Sequence, residues 1–152
     1  MKKTNIGMPF RSEILAASLV IEKMTSAFLS VLLGIKDLKN SRVLGNRSGC
    51  LSFNQKIDLL IEMGAVSSKD RNKFQAFMEI RNQFMHNISA NTYENCYSFM
   101  NGTDKFILKT YPQDNTKARE EALREATGEL IDEIGKITVN IISVLKGKFK
   151  LD

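Results

Sequence analysis

The stretch "FQAFMEIRNQFMHN", residues 74–87, decides how this chain reads. On a helical wheel turned about 100° per residue from Phe74, its apolar residues Phe77, Met78, Ile80, Phe84 and Met85 gather, with Ile88, in one broad arc centred at about 320°. A half-buried strand would alternate instead. Arg81 falls at about 340°, close to the centre of the apolar arc, while Gln75, Glu79, Asn82 and His86 fall between about 80° and 140°, just past one edge. The pattern predicts a helix from about Asp70 to about Ser89, capped by Ser67 or Ser68. It carries an arginine inside its core face and a polar cluster beside that face.

Working towards the N-terminus, Ser52 followed by Gln55 fits a capping box. Ile57, Leu60 and Ile61 supply the buried stripe of a helix that Gly64 ends. Residues 39–51 hold the turn formers Asn40, Gly45, Asn46, Ser48 and Gly49 and read as a loop. Residues 11–38, with Ser12 as cap, read as a long first helix whose apolar positions go nearly all round, as in the centre of a bundle. Within it Glu22 is a candidate partner for a buried cation, because a lone buried carboxylate is costly.

Towards the C-terminus, Asn91 with Glu94 forms another capping pair. Tyr93, Cys96, Tyr97 and Met100 follow at helical spacing, until Asn101-Gly102 stops them. Residues 103–115 read as a short strand or an extended strap, since Pro112 discourages helix. Leu123, Leu130, Ile134, Ile137, Ile141 and Leu145 mark a last long helix from about Thr116 to about Lys146. Gly128 and Gly135 lie on one face of it, where the missing side chains would permit close approach of another helix. The expected architecture is a single all-α domain over 1–152, with its core in about 11–146. It is a four- to five-helix bundle, mainly antiparallel.

The composition agrees with this. The chain has 152 residues, 43% hydrophobic and 26% charged, which suits one ordered domain with a sizeable core. It has no Trp and two prolines, so helix breakers are few. A net charge of +5 permits binding to RNA, DNA or anionic lipid without requiring it. No basic motif of a DNA reader stands out, and Lys146, Lys148 and Lys150 read as a solvated end. Two cysteines, Cys50 and Cys96, are too few for a disulfide framework and lack zinc-site spacing. They are expected as free thiols in a cytoplasmic protein. Met1-Lys2-Lys3 runs into polar Thr4 and Asn5, unlike a secretory signal. Glu22, Lys23, Thr25, Ser26 and Ser30 interrupt the apolar region near 14–35, unlike a membrane span.

Two residues of the central stretch ask for explanation. An unpaired guanidinium in a core costs several kcal/mol, on the order of a broken buried ion pair. Arg81 therefore pairs with a carboxylate such as Glu22 or Glu79, snorkels outward, or lies in an interface open to a charged ligand. His86 is the only histidine. It is a solvated helix-end residue, favoured there by the dipole when protonated, or a proton-transfer group. A metal site is disfavoured, since no cluster of ligands accompanies it. Asn82 and His86 are four apart and share a face. Arg81 and His86 are separated by about 140° around the helix and about 7.5 Å along it.

Arg81-Asn82-Gln83-Phe84-Met85-His86 resembles the R-x4-H signature of the HEPN superfamily (higher eukaryotes and prokaryotes nucleotide-binding), in which a polar residue commonly follows the arginine. More widely, "LSFNQKIDLLIEMGAVSSKDRNKFQAFMEIRNQFMHN", residues 51–87, is similar to the mannitol operon repressor family, a HEPN-like branch. There a long apolar helix precedes a lysine-bearing helix, a Gly-containing turn and the Arg/His helix. The likeness covers roughly residues 12–90. It implies a HEPN-like bundle that dimerises around the motif. It also implies one of two functions: a metal-independent endoribonuclease of toxin–antitoxin or antiphage type, or a non-catalytic regulator of transcription. Arg81, Asn82 and His86 would be the catalytic residues, supported by Glu79 and Glu22. No cofactor is implied. The expected partners are a second copy of the chain, RNA or a nucleotide, and a cognate antitoxin or regulatory protein, with no membrane.

The residue types suit such chemistry. RNA cleaves when its own 2′-hydroxyl attacks the neighbouring phosphorus, which needs a base, an acid and a cation at the phosphoryl oxygens. Histidine titrates near neutrality and arginine grips phosphate in a fork. One histidine serves poorly as both acid and base, so a symmetric dimer is the expected active unit.

Overall fold

The computed structural model describes residues 8–149; residues 1–7, with the Met1–Asn5 run, and 150–152, with Lys150, lie outside them. Among the described residues there are six α-helices and no strand. In chain order they are α1 (Met8–Leu32), α2 (Phe53–Glu62), α3 (Arg71–His86), α4 (Tyr93–Ser98), α5 (Thr103–Thr110) and α6 (Arg119–Phe149), with a single 3-10 turn at Ser68–Asp70 before α3. The chain is an all-α helical bundle, with six helices rather than four or five.

Several boundaries move from those expected, each for a local reason. Ser12 lies inside α1 and is not its cap. The first helix stops at Leu32, short of residue 38, because Gly34 adopts φ 67°. Gly34 N–H donates to Val31 O and Ile35 N–H to Ser30 O. That pair of bonds is a Schellman end. Gly64, at φ 69°, ends α2 in the same way, with Gly64 N–H donating to Ile61 O and Ala65 N–H to Leu60 O. The capping box is present: Ser52 Oγ accepts from Gln55 N–H and the Gln55 side chain accepts from Ser52 N–H.

Thr92, not Asn91, caps α4, accepting from Asn95 N–H at 3.1 Å. The remaining donors of that first turn, Tyr93 and Glu94 N–H, go to the Glu120 carboxylate at 2.9 and 2.7 Å. Residues 103–110 are helical, not strand or strap. Thr103 and Ile107, four apart, are the buried positions of α5, and Asp104 in its first turn pairs with Arg119 at 2.6 Å. Pro112 acts only on its neighbour. Tyr111 is pushed to φ −124°, ψ 77° and the helix ends just before it. Gly128 and Gly135 serve no close approach, since a Cβ on either meets nothing within 4 Å.

The residues fall into two compact units. One comprises the described parts of Met1–Ser18 with Ala76–Glu133, the other those of Leu19–Gln75 with Ile134–Asp152. Segments of α1, α3 and α6 contribute to both. In the first unit Phe77, Ile80, Leu123, Ala126 and Leu130 are fully buried. Tyr93 lies edge-on to Phe10 and Phe84, with centroids 5.3 and 5.4 Å away. Tyr97 OH meets Thr127 Oγ1 at 2.8 Å. Thr127 spends its one proton on Leu123 O, so Tyr97 is the donor. In the second unit Leu29, Ile57, Leu60 and Ile134 form the centre, with Phe53 tilted against Phe74.

Phe10–Leu32 is long and apolar enough to cross a membrane by length and composition. Its Ile14, Ser18, Ile21, Thr25 and Leu29 are all buried. They recur every three or four residues, which is the stripe of a core helix.

Candidate functional site

The R-x4-H segment lies at the C-terminal end of α3, within the first unit. Phe74, Ala76, Phe77, Ile80 and Phe84 of this helix are buried. On the wheel they run from about 200° to 360°, so the buried face is centred near about 280°. That is some 40° from the expected centre. Burial of small Ala76 accounts for the rotation.

The consequence falls on the opposite edge. Arg81 is half-buried instead of central, Met85 is 39% exposed, and Ile88, beyond the helix end, is 87% exposed. Met85 and Ile88 were expected in the core and are not there. Asn82 and His86 are exposed. Arg81 Nη1 donates to Asn82 Oδ1 at 2.9 Å at an exposed position. The stem and Nε are thus buried at the margin of the core, and only Nη1 reaches out to Asn82. Asn82 and His86 are one turn apart on that edge.

The supporting residues divide. Glu79, half-buried on α3, accepts from Thr103 Oγ1 at 2.7 Å and so holds the start of α5. Glu22 belongs to the second unit, where its charge acts on Lys56. Burial drives the Lys56 ammonium below the usual lysine range, and Glu22 opposes that shift.

Arg11 is the residue the sequence did not single out. Its Nη2 donates to Asn87 O, Ile88 O and Ala90 O at 3.2, 3.0 and 3.1 Å. A guanidinium there ties together carbonyls of the turn just past α3, and its charge complements the helix dipole. The turn is further tied by Asn87 Nδ2 donating to Gln83 Oε1 and Ser89 N–H donating to Asn87 Oδ1. His86 therefore projects from a fixed helix end. Nothing in the sequence around Arg11 signals a contact 76 to 79 residues away.

Among the described residues no group of three or more His, Cys, Asp or Glu is placed to hold a metal ion. Compared with protein-family models, curated proteins and solved structures, the chain matches none. Fold and site define an all-α bundle in which a core helix ends in an exposed Asn82–His86 edge with half-buried Arg81 bonded to Asn82.

Proposed function

We propose that this protein is a HEPN-like endoribonuclease that works without metal, with a dimer as its active unit. The observation that carries the proposal is the Arg81–Asn82 hydrogen bond at 2.9 Å, which links Nη1 of the half-buried arginine to a residue one turn from exposed His86. Arg81 clamps the phosphoryl oxygens, Asn82 positions Arg81, and His86 transfers protons. In the step itself the 2′-oxygen bonds to phosphorus, the P–O5′ bond breaks, and the 2′ proton passes to one His86. The His86 of a second copy protonates the departing 5′-oxygen. The products are a 2′,3′-cyclic phosphate and a 5′-hydroxyl. Exposed Met85 and Ile88 beside the site offer the apolar surface on which two copies meet.

The test is incubation of the pure protein with RNA in EDTA beside His86→Ala. Cleavage by the wild type that falls by at least about 100-fold in the variant is expected, the range of a lost general acid–base. No cleavage by the wild type, or equal cleavage by both, overturns the enzyme reading in favour of a non-catalytic regulator.

A further inference from the structure

The second unit holds a half-open cavity of about 610 Å³ between α1, the loop that follows it, and α2, a size within the roughly 300–1,000 Å³ of small-ligand sites. Lys23, Lys39, Arg47 and Lys56 line it, with Glu22 as the one carboxylate among the lining residues. Leu19, Leu38 and Leu44 supply an apolar wall.

Lys56 is 6% exposed. It sits on the stripe of Phe53, Ile57 and Leu60, where a core helix would carry an apolar residue. Its Nζ donates to Ser26 Oγ at 3.0 Å and to Leu44 O at 3.1 Å. An ammonium has three N–H bonds, so one remains for an occupant of the cavity.

The loop wall is built in advance of any ligand. Ser41 Oγ accepts from Val43 and Leu44 N–H, and Leu51 N–H donates to Val43 O. Gly45 fits only as glycine, since a Cβ there would lie 2.6 Å from Ser41 O.

We propose that this cavity binds a small organic phosphate, the phosphate facing the cationic side chains and a short apolar body lying against the leucines. Four cations opposed by one carboxylate suit a head group of about −1.5 to −2 charge, as a phosphate monoester carries, better than a singly charged carboxylate. Such a ligand also compensates the cost of keeping the buried Lys56 charged. The site is independent of the RNA-cleaving assignment.

Phenyl phosphate titrated calorimetrically into the full chain is the probe, with benzoate and inorganic phosphate as comparison arms. The expected Kd for phenyl phosphate is below about 1 mM, and both comparison ligands bind at least about fivefold more weakly, having lost charge or apolar body. Lys56→Met removes binding. Because that substitution also unties the loop from α2, a Lys39→Ala/Arg47→Ala double variant provides the second arm. Its side chains are exposed, and it is expected to keep the fold and weaken binding at least about tenfold. No heat with wild type at about 10 mM phenyl phosphate, a weakness beyond any specific site, overturns the proposal. So does undiminished binding by the double variant. Benzoate binding as tightly as phenyl phosphate overturns the phosphate assignment, and inorganic phosphate doing so overturns the apolar body.

Discussion

Replacing Arg11 with methionine keeps most of the apolar stem and removes the guanidinium from the end of α3. Three carbonyl oxygens lie 3.0 to 3.2 Å from its Nη2. That nitrogen has only two hydrogens, so the three contacts amount to about two full bonds shared among three acceptors. A hydrogen bond from a charged group is worth about 1.5–3 kcal/mol when buried. The carbonyl of Ile88 is exposed and those of Asn87 and Ala90 only partly buried, so water replaces much of the loss. The helix-dipole contribution adds roughly 0.3–1 kcal/mol. A net destabilisation of about 2 kcal/mol follows, which for a chain near this size lowers Tm by about 4–8 °C. Far-UV circular dichroism melts measure it. Hydrogen exchange localises it, because the Ala90 and Asn91 amides, bonded to Asn87 O and Ser89 O, would lose protection before the core of α6. Arg11→Lys keeps the charge without the fork and falls between the two. A methionine variant melting within about 1 °C of wild type, well inside the shift that 2 kcal/mol demands, or one with unchanged exchange at Ala90, would refute the assignment of Arg11 as the clasp of the His86 turn.

Three further outcomes follow from the same structure. Gly34→Ala places a Cβ in open space at φ 67°, so its cost is left-handed strain alone, about 1 kcal/mol, and Gly34→Asn should recover part of it; urea denaturation of the two variants reads the difference. Burial pushes Cys96 from 9.0 up to about 12 and Tyr93 from 10.0 up to about 12. The folded state therefore holds these protons more tightly than the unfolded one. The stability they contribute is complete below about pH 9 and is lost as pH rises through about 12. Burial pushes Tyr97 up as well, and both tyrosines lie in the first unit, so the tyrosinate absorbance of these two should rise together with loss of helicity. A thiol reagent at neutral pH should modify half-buried Cys50 and leave Cys96 untouched until unfolding; tyrosine ionisation in a fully helical protein, or early modification of Cys96, would contradict this.

What could be read directly from the chain was local. The capping box at Ser52, the glycine stop at Gly64, the apolar stripe of the last helix and the existence of α3 all depend on neighbours within a turn or two, and each is in the structure. Gly34 carries the same stop signal as Gly64. It was masked by the apolar run around it, which has no polar face to mark where the helix should end. The 103–110 segment was misread because Pro112 acts on the single residue before it, while Asp104 and its partner Arg119 favour helix upstream. Lys56 was legible in hindsight as the odd member of the Phe53, Ile57, Leu60 stripe, but its acceptors are a serine on α1 and a loop carbonyl.

By itself, then, the sequence determined the helical class, most of the helices, and the placing of Arg81, Asn82 and His86 on one of them, because periodicity and capping are short-range. Only the tertiary structure decided how α3 is rotated. The wheel weighs residues by hydrophobicity, whereas packing also buried small Ala76, and that choice left Arg81 about 60° from the centre of the buried face rather than about 20°. It also decided that Arg11 closes the turn after His86 and that a lysine lies buried beside a cavity. Those contacts join residues tens of positions apart, where no local pattern constrains the pairing.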